Sequence, residues 1–431
     1  MKNPVEATPG KCLEAERNAT LSSCCGFLGE VTLTDSAVII LFAGMLGAGD
    51  MLSMITTSLL PLFNGLCIIP MAWLAAKIGS KKLILRACSL SAIAYFMAVS
   101  SPFFGTWAST ILLATILLFA LCLPGFIAGW FPMLDSFLSS ERRTFFFSRM
   151  RFSHQLTAVI FLFLVGLLIG KEPPIWALQL VLLFGAIVFM GRIFFIWRIP
   201  VFATEKKDTL GFKDGLLAVI GNKPLAGFSI YLFVLNLAAY GTLPLTTIYL
   251  KKHLNAPDNV IVMISAIALF GMLLGYFFAP QIIRLKGIKD SLLLFHIALA
   301  LVNLGLFFIG VGSAITYALI ALLLLIYSFT IAAASIVSSS EMMALVKPDN
   351  KIMSMAFNGA FYYGGFGLSR LVSSLLLGSG MLASEWHIGA MKICHYQTLF
   401  LIYTIFIVFA AVFLIVVPAV FPKGEYTYDV H

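Results

Sequence analysis

Glu30 and Asp35 stand in a stretch of chain that is otherwise almost free of charge, and Arg370 does the same near the far end. In an apolar solvent each such group costs about 2.5–3.5 kcal/mol on insertion scales, so each is a functional candidate from the outset. On a helix, residues five apart are separated by about 140°, so Glu30 and Asp35 face different ways. Ser23, Gly26, Phe27, Glu30 and Thr34 share one stripe, with Thr32 close to Asp35. Arg370 has three readings: an ion pair with Asp35, contact with an anionic solute, or a structural role at the membrane surface or on a neighbouring carbonyl. Asn236, Tyr240, Gly241 and Pro244 form a polar group with a built-in kink, because proline removes a backbone donor. Asn358 and Tyr362, four apart, form another. Such amides and phenols suit hydrogen bonding to a polar solute, or close helix packing with the amide satisfied. Trp130 is a candidate for stacking a ligand or for anchoring at the membrane surface. Glu341 offers a partner to Arg142, Arg143 or Arg149, or else a solvated helix end, and His154 and Gln155 are expected among lipid headgroups. The sequence holds no Gly-rich phosphate loop, metal-ligand cluster or activated nucleophile, so an enzyme is not expected and no cofactor is implied.

The elements that must position these groups follow from composition. Of 431 residues, 61% are apolar and 11% charged, against about 45–50% and about 25% in a soluble domain. Lipid is therefore the solvent for most of the chain. A helix crosses about 30 Å of hydrocarbon with about 20 apolar residues, and breaking the chain at its charged or Pro/Gly-rich interruptions gives twelve such stretches, near 21–46, 51–76, 82–101, 107–130, 153–170, 175–197, 226–250, 259–283, 290–311, 315–340, 353–377 and 397–420. The first pair admits a second cut that starts helix 1 at Ser36; the turn Gly47-Ala48-Gly49-Asp50 favours the first. The stretches are apolar for their full length, which makes them helices rather than barrel strands. Counting from the ends at 21 and 353, Asp35 and Arg370 lie at similar depth.

Of the 28 Lys and Arg, 23 fall in the tails and even-numbered loops and 4 in the opposite loops. That asymmetry places both termini in the cytosol and the protein in the cytoplasmic membrane. It also accounts for the net charge of +9 without a nucleic-acid partner. The seven cysteines lack C-x-x-C spacing and read as small core residues. The chain divides into a cytosolic tail (1–20), a first bundle (21–197), a polar connector (198–225) with a short interfacial helix from Gly211-Phe212 to Ile220, a second bundle (226–420) and a second tail (421–431). A shift of 208 residues pairs Gly79-Ser80-Lys81 with Gly287-Ile288-Lys289, and Glu141-Arg142-Arg143 with Asp349-Asn350-Lys351. One register for two loops argues for two pseudo-symmetric six-helix halves.

The loop after helix 2, Ala72-Trp73-Leu74-Ala75-Ala76-Lys77-Ile78-Gly79-Ser80-Lys81-Lys82, resembles the major facilitator superfamily signature G-x-x-x-D-R/K-x-G-R-R/K through Lys77, Gly79 and Lys81. Ala72, Ala76 and Ser80 replace the first Gly, the Asp and the Arg, which removes the Asp-centred gating network from what the resemblance implies. The run from Ser139 to Arg149 is similar to the basic loop 4–5 of bacterial members. The resemblance, carried by the 6+6 layout over nearly the whole chain, implies an all-α membrane protein in which helices 1, 4, 7 and 10 line a central cavity. It implies a secondary transporter driven by an ion gradient or by the solute's own gradient, with Lys77, Gly79, Lys81, Arg142, Arg143 and Glu341 at the cytosolic gate. Thr34, Trp130, Asn236, Tyr240, Asn358 and Tyr362 become candidates for the substrate cavity, Asp35 and Arg370 for an ion-pair gate, and Glu30 for the proton site of a coupled carrier. The alternative for Glu30 is a carboxyl group hydrogen-bonded within the bundle. The expected partners are a small organic solute and the lipid bilayer, with the chain acting as a monomer. Multi-substrate efflux and a non-transporting membrane sensor or assembly factor on the same scaffold are the competing functions.

Overall fold

The computed structural model describes residues 8–138, 140–202, 212–346, 350–389 and 391–417. Twelve membrane-crossing helices form two bundles of six. Helix 1 is two pieces, α1 (Pro9–Thr34) and α2 (Ala37–Met45); helices 2 and 3 are α3 (Asp50–Ile78) and α4 (Ser80–Val99). After a 3₁₀ turn (Ser101–Trp107), helix 4 is α5 (Ala108–Cys122) with α6 (Pro124–Asp135), helix 5 is α7 (Ser140–Leu168) and helix 6 is α8 (Ile175–Arg198). A surface helix, α9 (Phe212–Ile220), precedes helix 7, made of α10 (Lys223–Ala239) and α11 (Thr242–Lys252). Helices 8 and 9 are α12 (Asp258–Phe307), broken at Gly287 by a φ of 76°. Helix 10 is α13 (Ala314–Leu345), helix 11 is α14 (Lys351–Ser379), a hairpin of β1 (Glu385–Ile388) and β2 (Met391–Cys394) follows, and helix 12 is α15 (His395–Val416).

Local chemistry sets these boundaries. Thr8 followed by Pro9 opens α1, proline being suited to a first turn whose N–H has no intrahelical acceptor. Helix 1 therefore starts twelve residues before the expected 21 and well before the alternative at Ser36, and Glu16 is part of the bundle rather than a free tail. Gly47, with φ 81°, makes the expected turn into α3. Gly79 (φ 90°) and Gly287 (φ 76°), 208 residues apart, hold the two sharp turns between helices 2 and 3 and helices 8 and 9. Both lie in the left-handed region that disfavours any side chain, so the repeat read from the sequence is a repeat of backbone conformation.

Apolar burial gives lipid-bathed helices little reason to associate, so close approach must come from small residues. Along the seam of helices 2 and 11, a Cβ at Gly65 would stand 2.6 Å from the Gly364 nitrogen, and one at Gly367 would stand 2.4 Å from Leu62. The seam of helices 5 and 8 closes through Gly166 against Met263 and through Gln155, whose amide donates to the Leu269 carbonyl at 3.0 Å. Large apolar side chains such as Phe103, Leu168 and Ile315 stand more than 80% exposed on the outer surface, where lipid would cover them. The loops after helices 2, 4 and 8 share one face, the basic face.

Candidate functional site

Helix 1 breaks at Asp35, where φ is −146° and ψ 37°. The hydroxyls of Thr32, Thr34 and Ser36 bond back to the carbonyls of Leu28, Glu30 and Thr32, at 2.7, 2.8 and 3.1 Å. Three such back-bonds in five residues loosen the helical ladder and favour a bend. Helix 7 breaks at Tyr240-Gly241, four residues before Pro244, and helix 2 carries Pro61 four residues beyond Thr57. A proline has no N–H to offer the carbonyl four residues earlier, so the carbonyls of Tyr240 and Thr57 are released within the membrane.

Arg370 fills both vacancies. Its Nε donates to the Tyr240 carbonyl at 3.1 Å and its Nη1 to the Thr57 carbonyl at 2.9 Å, while Nη2 pairs with Asp35 Oδ1 at 2.6 Å. The guanidinium is 3% exposed and lies 4.4 Å from the Phe366 ring centre; the Asp35 side chain is 39% exposed. Asp35, Arg370 and Thr57 are ten, nine and seven residues from the helix ends at Met45, Ser379 and Asp50, so this cluster ties the two halves together towards the face opposite the basic loops. Lys252 and Asp50, 3.9 Å apart, add a second cross-half contact on that side. Of the readings open for Arg370, the structure combines two, the Asp35 pair and the carbonyl cap; a side chain reaching out to the membrane surface is excluded by its burial.

The partner of Glu30 is Arg192, a residue counted among the loop charges although the expected span 175–197 contains it. Arg192 lies inside α8 and is 3% exposed at its side chain, and its Nη1 pairs with Glu30 Oε1. Its guanidinium sits 3.9 Å from the centre of the Phe126 ring and 5.3 Å from that of Phe189. Gly26 makes room for it: a Cβ there would stand 1.5 Å from Arg192 Nε. Glu30 keeps 20% exposure, and Tyr363 of helix 11, in the other half, lies within its electrostatic reach. One turn away on the same helix, Phe27 stacks on His154 at 4.3 Å and Ser23 bonds His154 Nδ1 at 2.9 Å. His154 and Gln155 are thus packed between helices, contrary to their expected headgroup positions.

The helix 7 and helix 11 candidates meet one another. Asn236 donates to the Tyr362 carbonyl at 3.0 Å, the Tyr240 and Tyr362 hydroxyls bond each other, and Tyr240 stacks on Phe366 at 4.0 Å. Asn358 donates to Ser229 at 3.0 Å, which satisfies it within its own bundle. Asn236, Tyr240, Ser335 and Tyr362 border a water-sized cavity of about 10 Å³; a second of the same size lies beside Asp35, Thr57 and Pro244. Thr34 is buried, with its hydroxyl committed to the Glu30 carbonyl. Trp130, 6% exposed, packs on Phe126 at 5.0 Å, so it is no surface anchor; through that ring it supports the Arg192 site.

The described contacts of Lys77, Lys81 and Arg142 stay within the first half. Lys77 lies 3.5 Å above the Trp73 ring, Gly79 forms the turn, and Lys81 donates to the Trp197 carbonyl at 2.9 Å and to that of Ile199, capping helix 6. Arg142 makes a bidentate pair with Glu16, at 2.9 and 2.8 Å, rather than with Glu341. That bond and charge raise the Arg142 pKa further above its already high value. Glu341 is 1% exposed, not at a solvated helix end, and the Arg143 side chain lies outside the described residues.

Comparison with known proteins agrees with this arrangement. The profile of the Major Facilitator Superfamily matches residues 20–351, most of the chain. The chain belongs to this superfamily. No curated protein sequence matches it. Among solved structures, the nucleoside transporter NupG, as a point mutant, aligns with a TM-score of 0.69 at 16% identity, covering 94% of this chain and 99% of that one. A bacterial homologue of the human lysosomal transporter Spinster, in an inward-facing, unoccupied conformation, aligns with a TM-score of 0.66 at 16% identity over 98% and 100%. A bacterial homologue of the iron transporter ferroportin aligns with a TM-score of 0.60 at 13% identity over 94% and 98%. At these identities the likeness is one of superfamily fold. Two groups escaped the sequence reading: Arg151, because the charge was taken to lie before the span 153–170, and Arg192, because it was counted with the loop charges although the span 175–197 holds it; helices 5 and 6 carry both inside.

Proposed function

We propose that this superfamily member is a proton-coupled secondary transporter of a small organic solute, working by alternating access across the cytoplasmic membrane with both termini in the cytosol. The orientation rests on the Lys/Arg asymmetry, which survives the transfer of Arg192 and Arg151 into helices. The observation that carries the reading is the position of Arg370, which bridges the breaks of helices 1 and 7 and the proline site of helix 2, and so spans both halves at one side of the membrane. For the outer side to open, Arg370 must release both Asp35 and the Thr57 carbonyl, which lie in the other half. Glu30 differs: its partner Arg192 belongs to the same half, so the pair travels as a unit and its carboxylate can take up a proton without unlocking the halves. Its 20% exposure also speaks against a solidly packed sensor scaffold. In proteoliposomes with an imposed pH gradient, Glu30→Gln is expected to abolish uphill uptake while sparing solute exchange; undiminished uphill uptake by that variant contradicts the assignment.

A further inference from the structure

Of the arginines carried at membrane depth, two are already neutralised, Arg192 by Glu30 and Arg370 by Asp35. Arg151 is different. It lies eleven residues into α7, inside the stretch Arg149–Leu168 that is long and apolar enough to cross a membrane. Its neighbours fix the direction of its face: His154, three residues on, contacts Ser23 and Phe27 of helix 1, and Gln155, four on, contacts Leu269 of helix 8. Arg151 therefore looks into the space where helix 1 of one half meets helix 8 of the other. Among the described residues no carboxylate lies within ion-pair distance of it. Its one described contact is with the face of Tyr276, 5.9 Å from guanidinium carbon to ring centre, and the phenols of Tyr276, Tyr362 and Tyr363 lie within reach of its charge.

A guanidinium inside such a stretch without a counter-ion is expensive, and its described partner is the ring face of Tyr276. We infer that Arg151 is the recognition residue for the carboxylate of a monoanionic organic solute, whose apolar body rests against the aromatic face of helix 11. This deepens the transport reading and rests on it. The charge of the residue selects the class: of Arg192, Arg370 and Arg151, only Arg151 lacks a described carboxylate, and its single positive charge is neutralised by a monocarboxylate and overshot by a phosphate ester. The guanidinium fork matches a carboxylate in bidentate geometry, which a lysine cannot copy.

The test is the thermal stability of the purified full-length protein in detergent with four matched probes: phenylacetate, phenylacetamide, phenethylamine and phenyl phosphate. A ligand that binds the folded state raises its melting temperature in proportion to RT ln(1 + [L]/Kd). Phenylacetate is expected to stabilise saturably, the amide and the amine not at all, and phenyl phosphate less than the carboxylate. Arg151→Gln should weaken the phenylacetate response at least ten-fold, and Arg151→Lys by less. Equal stabilisation by the amide, stronger stabilisation by phenyl phosphate, an undiminished response in Arg151→Gln, or no response to phenylacetate up to its solubility limit would each overturn the inference. Should Arg151→Gln not fold, the Arg151→Lys response and the ranking of the probes on the unmodified protein decide in the same way. An Arg151-dependent response without counterflow of phenylacetate into proteoliposomes would uphold the site and count against transport.

Discussion

Two arginine–carboxylate pairs hang from one helix, five residues apart, and they differ in what each arginine has besides its carboxylate. Arg370 has three acceptors on three helices: Asp35, the Thr57 carbonyl and the Tyr240 carbonyl. Arg192 has Glu30 and two ring faces, and its Nε finds no acceptor. Arg370 therefore keeps carbonyl partners when Asp35 is lost, with only the Tyr240 carbonyl in its own half, whereas Arg192 depends on Glu30 for its neutralisation. A pair that spans the halves and can lose its carboxylate cheaply suits a gate; one within a half, where the carboxylate is decisive, suits a site whose charge is the signal.

Substitutions can break this contrast, the largest effect first. Arg370→Met leaves two proline-released carbonyls and Asp35 without their partner, and should cost about 3–5 kcal/mol in a melting or denaturant experiment. Adding Pro61→Ala and Pro244→Ala to that variant returns backbone donors to Thr57 and Tyr240, recovering about 1 kcal/mol per carbonyl. No recovery would show that the capping account is mistaken. Next comes Glu30→Ala, which strands Arg192 and should cost about 2–4 kcal/mol, against no more than about 1 kcal/mol for Asp35→Asn, because Arg370 keeps its carbonyls. The reverse ranking in the same assay would remove the contrast. Gly26→Ala should mimic Glu30→Ala in melting and in uphill uptake, since the new methyl group occupies the place of Arg192 Nε.

The smallest effect is expected at the exposed pair of Glu385 and Lys392, 2.7 Å apart across the β1–β2 hairpin. The Lys392 hydrogen bond holds the Glu385 carboxyl below its ordinary value. A lowered folded-state pKa means that the bond's contribution is present above the ordinary carboxylate value and is lost as pH falls through the lowered one. Both side chains are more than half exposed, so Lys392→Gln should leave the melting temperature unchanged and move only the Glu385 titration upward. A measurable melting shift would show that exposure is a poor guide to the worth of ion pairs here.

Much of this was legible in the sequence. The twelve spans followed from hydropathy, and the pairing of Gly79 with Gly287 from a spacing that only glycine's backbone freedom makes meaningful. The depth count brought Asp35 and Arg370 to one level, where they meet. Pro244 announced a kink, Pro61 passed unread, and no local rule could name a donor more than a hundred residues away. Arg151 was misplaced because hydropathy stops a span at a charge, and Arg192 was overlooked because it was tallied with the loop charges although the span 175–197 held it. Glu16 went unread because the amphipathic start of helix 1, opened by Pro9, is too polar to register as membrane-bound.

The contrast between the pairs is tested most directly by a distance across the face opposite the basic loops. Spin labels at Phe103 and Val311, exposed on that face in different halves, would report its opening in a background with the seven native cysteines replaced. Asp35→Asn is expected to shift the population towards the longer distance, while Glu30→Gln leaves the distribution as in the parent. An unchanged distribution in Asp35→Asn, or an equal shift in Glu30→Gln, would contradict the division of labour between the two pairs.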